Sequence, residues 1–234
     1  MKRIAISQSN YLPWKGYFDL IASVDEFVLY DTAQYTRRDW RNRNKVKTRD
    51  GVRWITVPVQ VKGRYTQAVY ETYLDGTAWA TEHLAVLRHS YARATAFSDV
   101  FPWLEELFAA APRTTISELN LYLLRAICER LDIVTPLRMS SEFELADDRN
   151  ERLLGICEQL GATEYVSGPA AKAYFDEGLF AGRGLSVRWK SYAGYPEYEQ
   201  PFAPFEHGVS IVDTLFCTGA SAPSYIRSAE AFEP

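Results

Sequence analysis

Residues 37–49, RRDWRNRNKVKTR, hold seven of the chain's 26 cationic residues and one of its 30 acids. If residues 43–49 are extended, the two-residue period places Arg43, Lys45, Lys47 and Arg49 on one face. Four cations on one strand face repel each other unless solvated or matched by an anion. A diphosphate is the first candidate, with Trp40, Asn42 and Asn44 nearby for stacking and polar contacts. RNA is the second, because arginines interleaved with Tyr35 and Trp40 suit phosphates and bases. A solvated hairpin face is the third reading.

A second stretch, QSNYLPWKGYFDLI at 8–21, follows a short apolar run. Gln8 and Asn10 can read a polar ligand, and Tyr11, Trp14 and Tyr17 can stack on a base or sugar. Gly16 would let a phosphate approach a helix amino terminus. The alternative is that Trp14 and Tyr17 are core aromatics. Proton-transfer candidates are few: His207 beside Glu206, Asp31 at a strand end, and Tyr17, with Asp213 as a further acid in an apolar run. No GxSxG elbow supports a serine nucleophile. The place where nucleotidylyl transferases carry His-x-Gly-His reads Trp14-Lys15-Gly16-Tyr17, without either histidine. No DxD-like pair or metal-ligand spacing is present, and neither metal nor cofactor is expected.

The elements that must position these residues read as alternating strands and helices. KRIAIS (2–7), a helix over GYFDLIAS (16–23) and EFVLYD (26–31) make a βαβ start. Asp50-Gly51 predicts a hairpin between NKVKT and VRWITVPV, with AVYETYL (68–74) as a third strand. Helices are expected at 77–91, 99–109 and 115–131, the last through a Thr115/Glu118 capping box. PLRMSS, EYVSG and LSVRWKSY read as strands, separated by a helix capped at Asp148 and another opened by proline at PAAKAYF. This pattern implies one α/β domain over 1–234: a Rossmann-like parallel sheet with helices on its faces and a basic antiparallel insertion at about 37–75. In such sheets ligands bind outside the carboxyl ends of the strands. QSNYLPWKG, DTAQY with Gln34, and SGPAAK with Ser167 and Lys172 would therefore meet at one edge. Residues 194–208 form a loop with three prolines that either packs on the surface or closes over a ligand.

At 234 residues, with 47% hydrophobic and 24% charged residues, the chain suits a soluble globular protein and excludes a disordered scaffold. No signal peptide or membrane span is legible, so a cytoplasmic location without membrane insertion is expected. The net charge of −4 argues against general attraction to nucleic acid and makes the basic run a local feature. Cys128, Cys157 and Cys217 lie in apolar segments without CxxC spacing and read as buried free thiols.

ISQSNYLPWKGYFDLI, then FVLYDTAQYTRRDWRNRNKVKT with WITVPV, then LGATEYVSGPAAKAYF and SIVDTLFCTG, together resemble the WbqC-like protein family over nearly the whole chain. The resemblance implies bacterial surface-polysaccharide (O-antigen) and related glycan synthesis, a context more than a reaction. Joined to the residues, it gives the expectation of acyl or aminoacyl transfer to the amine of a nucleotide-linked amino sugar, in bacterial glycan or natural-product biosynthesis. The basic strand would hold the diphosphate, and His207 or Asp31 would take the amine proton. An aminoacyl-tRNA donor would give the basic strand a second use. The alternative is a nucleotide- or RNA-binding accessory protein without chemistry of its own.

Overall fold

The computed structural model describes residues 1–233. In chain order its strands are β1 (Arg3–Ser7), β2 (Glu26–Leu29), β3 (Arg43–Thr48), β4 (Gly51–Thr56), β5 (Leu137–Met139), β6 (Glu164–Ser167) and β7 (Ser186–Trp189). The helices are α1 (Lys15–Ile21), α2 (Trp79–Tyr91), α3 (Phe97–Ala110), α4 (Ile116–Arg130), α5 (Arg149–Gln159), α6 (Glu177–Gly182), α7 (Ile211–Thr218) and α8 (Ala222–Tyr225).

Five strands pair in parallel in the order β5-β2-β1-β6-β7, while β3 and β4 form a separate antiparallel hairpin. The chain builds outward from β1 through β2 to β5, then returns to place β6 on the other side of β1. Strand order therefore reverses between β1 and β6, and the crevice outside their carboxyl ends is the switch point at which such sheets bind ligands.

Two-residue alternation divides the sheet between two cores. Ala5, Phe27, Leu29 and Val166 face a core shared with α1, α4, α7 and the hairpin residues Val46 and Ile55. Ile4, Ile6, Val28 and Tyr165 face a smaller core with Leu153, Leu154, Ile156 and Cys157 of α5 and Phe180 of α6. Local signals place the helix starts. The Thr115 hydroxyl accepts from Glu118 N while the Glu118 carboxylate accepts from Thr115 N, and Asp148 accepts from Asn150 N and Glu151 N.

Two expected elements differ. The third hairpin strand at 68–74 is instead a 3-10 turn over Val69–Glu71. The Glu71 carboxylate accepts from Ala68 N and Thr72 Oγ1 donates back to Ala68 O, so side chains close a turn that apolar alternation alone reads as a strand. PAAKAYF likewise forms a 3-10 helix over Pro169–Tyr174. Among the described residues no helix is long and apolar enough to cross a membrane. The cysteines are unpaired, and burial pushes the Cys128 and Cys157 thiols up to about 12, which leaves them unreactive.

Candidate functional site

A cleft of about 670 Å³ opens at the switch point. Gln8, Trp14 and Tyr17 line one side, Tyr30 and Gln34 a second, Ser167 and Gly168 a third, and Arg149 and Arg152 at the start of α5 complete it with Tyr174 and Tyr192. Its wall therefore joins aromatic rings, two amides and two guanidinium groups. Among the described residues, no carboxylate, histidine, lysine or cysteine lines it.

The arginines arrive there by topology. α5 follows β5 and precedes β6, so it runs against the strands and begins at their carboxyl edge. Arg152 Nε and Nη2 donate to the carbonyls of Ala146 and Asp147, and Nη1 donates to the Tyr30 hydroxyl at 3.1 Å. The guanidinium of Arg149 lies 3.7 Å above the Tyr174 ring. Among the described residues neither group forms an ion pair with a carboxylate, although Arg152 lies near enough to Asp148 to help lower its pKa.

The opening stretch is fixed from below. Tyr11 N donates to Trp40 O, and the Asn44 amide reaches back from β3 to the carbonyls of Tyr11 and Leu12 at 3.1 and 2.9 Å. Ser210, the cap of α7, donates to Leu12 O at 2.7 Å. These bonds hold Leu12, fully buried, at φ +41, a conformation that leucine adopts only under such constraint. Gly16 serves the indole of Trp14: a Cβ there would lie 2.3 Å from Trp14 Cζ2, so the glycine makes room for the ring. Trp14 meets Tyr192 and Tyr195 edge-on at 5.3 and 5.8 Å. The Tyr192 loop is pinned in turn by a buried pair, Lys190 to Asp19 at 2.8 Å, with the Tyr195 hydroxyl donating to the same carboxylate.

Tyr17 lines the cleft and donates its hydroxyl to Gln8 O at 2.9 Å. Burial, then the Asp31 charge, raises its pKa well above the ordinary phenol value, so it stays a hydrogen-bond donor. Gln8 itself donates to Gln34 O at a long 3.4 Å. Asp31 lies under the wall, fully buried. It accepts from Ser9 N at 2.8 Å, Ser9 Oγ at 2.6 Å and Ser117 Oγ. Asn120 extends this node from α4, donating to Ser9 Oγ and Arg41 O. Asn10 Oδ1, next in sequence to Ser9, is buried without a hydrogen-bond partner among the described residues.

The other sequence candidates lie elsewhere. Tyr11 is buried against Trp79 and hydrogen-bonded to His83, which burial holds neutral with a pKa of about 4. Asn42 is buried and donates to Val57 O. The four-cation face divides: Arg43 and Lys45 stack on Trp54 and Trp40 at the surface, whereas Lys47 is buried and donates to Pro204 O. Lys172 pairs with Glu233 and stands over Trp189. His207 rests edge-on against Phe205, 3.7 Å from Glu197, in the 194–208 loop. Burial and the nearby Lys15 charge lower its pKa. Of the predicted residues, Gln8, Trp14, Tyr17, Gln34 and Ser167 meet in the cleft, and the hairpin contributes none. Sequence reasoning missed Arg149 and Arg152. Their signal was present: a helix start at a strand's carboxyl edge, with arginines at its first and fourth positions.

Comparison with known proteins places this geometry in a family. The model of the WbqC-like protein family matches residues 8–225. The chain belongs to the WbqC-like protein family. Membership links it to glycan and O-antigen biosynthesis. The chain is 52% identical over 227 residues, 97% of its length, to the uncharacterized protein Rv1507c of Mycobacterium tuberculosis, of which the match covers 98%. No solved structure matches.

Proposed function

We propose that the switch-point cleft binds a nucleotide-linked amino sugar and that the protein transfers an acyl or aminoacyl group to its amine. The observation that carries this reading is the meeting of two arginines, neither in an ion pair among the described residues, with aromatic walls in one crevice. Guanidinium groups fit the oxygens of a diphosphate in a fixed fork, and Trp14, Tyr174 or Tyr192 offers a face to the base. Gln8, Gln34 and Ser167 supply donors and acceptors for sugar hydroxyls. This assigns the diphosphate to Arg149 and Arg152, in place of Arg43 and Lys45 on the hairpin.

In the transfer itself the amine nitrogen attacks the acyl carbonyl, the donor's leaving group departs, and the amine proton passes to solvent or the leaving group. An activated donor and an uncharged amine need positioning more than a strong base, which suits a wall built of phenols and amides. The Tyr17 hydroxyl, whose proton is given to Gln8 O, would orient the sugar by accepting from one of its hydroxyls. Family membership supports the glycan setting.

A second reading rests on the same wall. Because no histidine, cysteine or carboxylate among the described residues lines the cleft, it also suits a nucleotide-binding accessory protein without chemistry. Purified protein incubated with a nucleotide-linked amino sugar and acyl-thioester or aminoacyl-tRNA donors, followed by mass spectrometry, decides between them. The transfer reading predicts an acylated nucleotide sugar. Tight binding with no product from either donor class supports the accessory reading.

A further inference from the structure

The hairpin contributes nothing to the cleft, yet it carries the most unusual surface of the molecule. Residues 37–71 hold ten of the chain's 26 cations and three of its 30 acids, on a protein whose net charge is −4. The same segment and the two residues after it expose Trp40, Val52, Trp54, Tyr65, Tyr70 and Tyr73, six of the nine large hydrophobic side chains that stand exposed among the described residues. Tryptophan is costly to leave in water, and cations on an acidic protein have ample carboxylates to choose from. Apart from Arg41 and Lys47, which are buried, these cations reach the surface beside the exposed rings.

Strand pairing explains how. Asn44, Val46 and Ile55 point into the core. Lys45 lies directly across from Trp54, and Arg43 across from Thr56. The two indoles lie 5.0 Å apart. Arg43 stands over Trp54 at 4.1 Å, and Lys45 Nζ lies 5.3 and 5.7 Å from Trp54 and Trp40. Arg43 also donates to Arg38 O, which fixes the plane of its guanidinium. Trp40 and Trp54 are 38% and 37% exposed, so their free edges and faces remain open. Arg37 repeats the arrangement over Tyr65 at 5.3 Å.

We propose that this face binds single-stranded nucleic acid, through its phosphates and base faces and with indifference to the sugar. Stacking on indole or guanidinium planes needs unpaired bases, which a duplex hides. A run of cations beside the rings tracks the phosphates. An acidic polypeptide would satisfy the charges and leave the rings unused. The site shares no residue with the cleft, so it stands or falls independently of the transferase reading.

Fluorescence anisotropy of the full chain with a labelled single strand of about 12 nucleotides tests it. Single-stranded RNA and DNA of one sequence should bind within a few-fold of each other, and the duplex clearly more weakly. The Trp40→Ala/Trp54→Ala double variant should lose about tenfold or more in affinity, while Trp40→Phe/Trp54→Phe keeps most of it. Arg43→Gln should reduce the slope of log affinity on log salt by about one. Unchanged affinity in the alanine variant, verified as folded by its thermal transition, overturns the proposal. So does a duplex or a polyglutamate bound as tightly as the single strand.

Discussion

The cleft and the hairpin both bring arginines to aromatic rings, but one is a crevice and the other a surface strand. In the cleft, Arg149 and Arg152 are held by a ring, a phenol and loop carbonyls around about 670 Å³, a space that admits one small molecule. On the hairpin, Arg43 and Lys45 lie along a surface strand, and Trp54 beneath them borders a groove against α2, a shape that suits a polymer passing over it. The same side-chain chemistry thus reads differently according to what surrounds it. Charge runs in a sequence announce the surface strand and stay silent about the cleft.

The largest effect is expected where the cleft rests on its buried frame. Asp31→Ala leaves Ser9 N, Ser9 Oγ and Ser117 Oγ without their acceptor, and should cost about 3 kcal/mol in urea unfolding. A cost under about 1 kcal/mol would mean that the floor relaxes and that the contrast between rigid cleft and surface strand is overstated. Gly16→Ala comes next. Its methyl would overlap the Trp14 indole, so the ring must leave the wall, with a stability loss of about 1–3 kcal/mol and weaker nucleotide binding. Normal binding by this variant would remove Trp14 from the site.

Lys15 sharpens the comparison through pH. Like Lys45 it stands over aromatic rings, Tyr195, Tyr198 and Phe205 at 5.1 to 5.5 Å, but it is buried and donates to Pro196 O. Burial lowers its pKa from the ordinary 10.5 to about 8, against the opposing pull of Asp213 and Glu197. Between about pH 8 and 10.5 the unfolded chain therefore binds more protons at this site than the folded one, and stability rises with pH across that window. Below pH 8 both states are protonated and the contribution is flat. In Lys15→Met the rise should disappear, as read from chemical unfolding at stepped pH. The smallest effect belongs to the surface strand: Lys45→Ala should change stability by less than about 1 kcal/mol.

How much of this was legible follows the range of the interactions. The βαβ start, the Asp50-Gly51 hairpin, the Thr115 capping box and the Asp148 cap depend on neighbours within a few residues, and pattern alone places them. The fate of Lys47 depends on Pro204, which lies far along the chain, so a period-two face predicted four surface cations where one is buried. Asp31 looked like a reacting acid because it ends a strand. Its partner Ser117 on α4 accounts for its burial, and no local signal names that residue. The cleft's arginines required the strand order, since only the reversal between β1 and β6 makes the start of α5 a wall of the crevice.

The central claim is that Arg149 and Arg152 hold the diphosphate of a nucleotide-linked sugar in the switch-point cleft. Isothermal titration of a nucleoside-diphosphate amino sugar into wild type and into Arg149→Gln/Arg152→Gln tests it most directly, with Arg43→Gln/Lys45→Gln titrated alongside. Each charge-assisted bond is worth about 1.5–3 kcal/mol, so the cleft variant should lose about a hundredfold in affinity while the hairpin variant matches wild type. Equal affinities for wild type and the cleft variant, or a loss confined to the hairpin variant, would contradict the account.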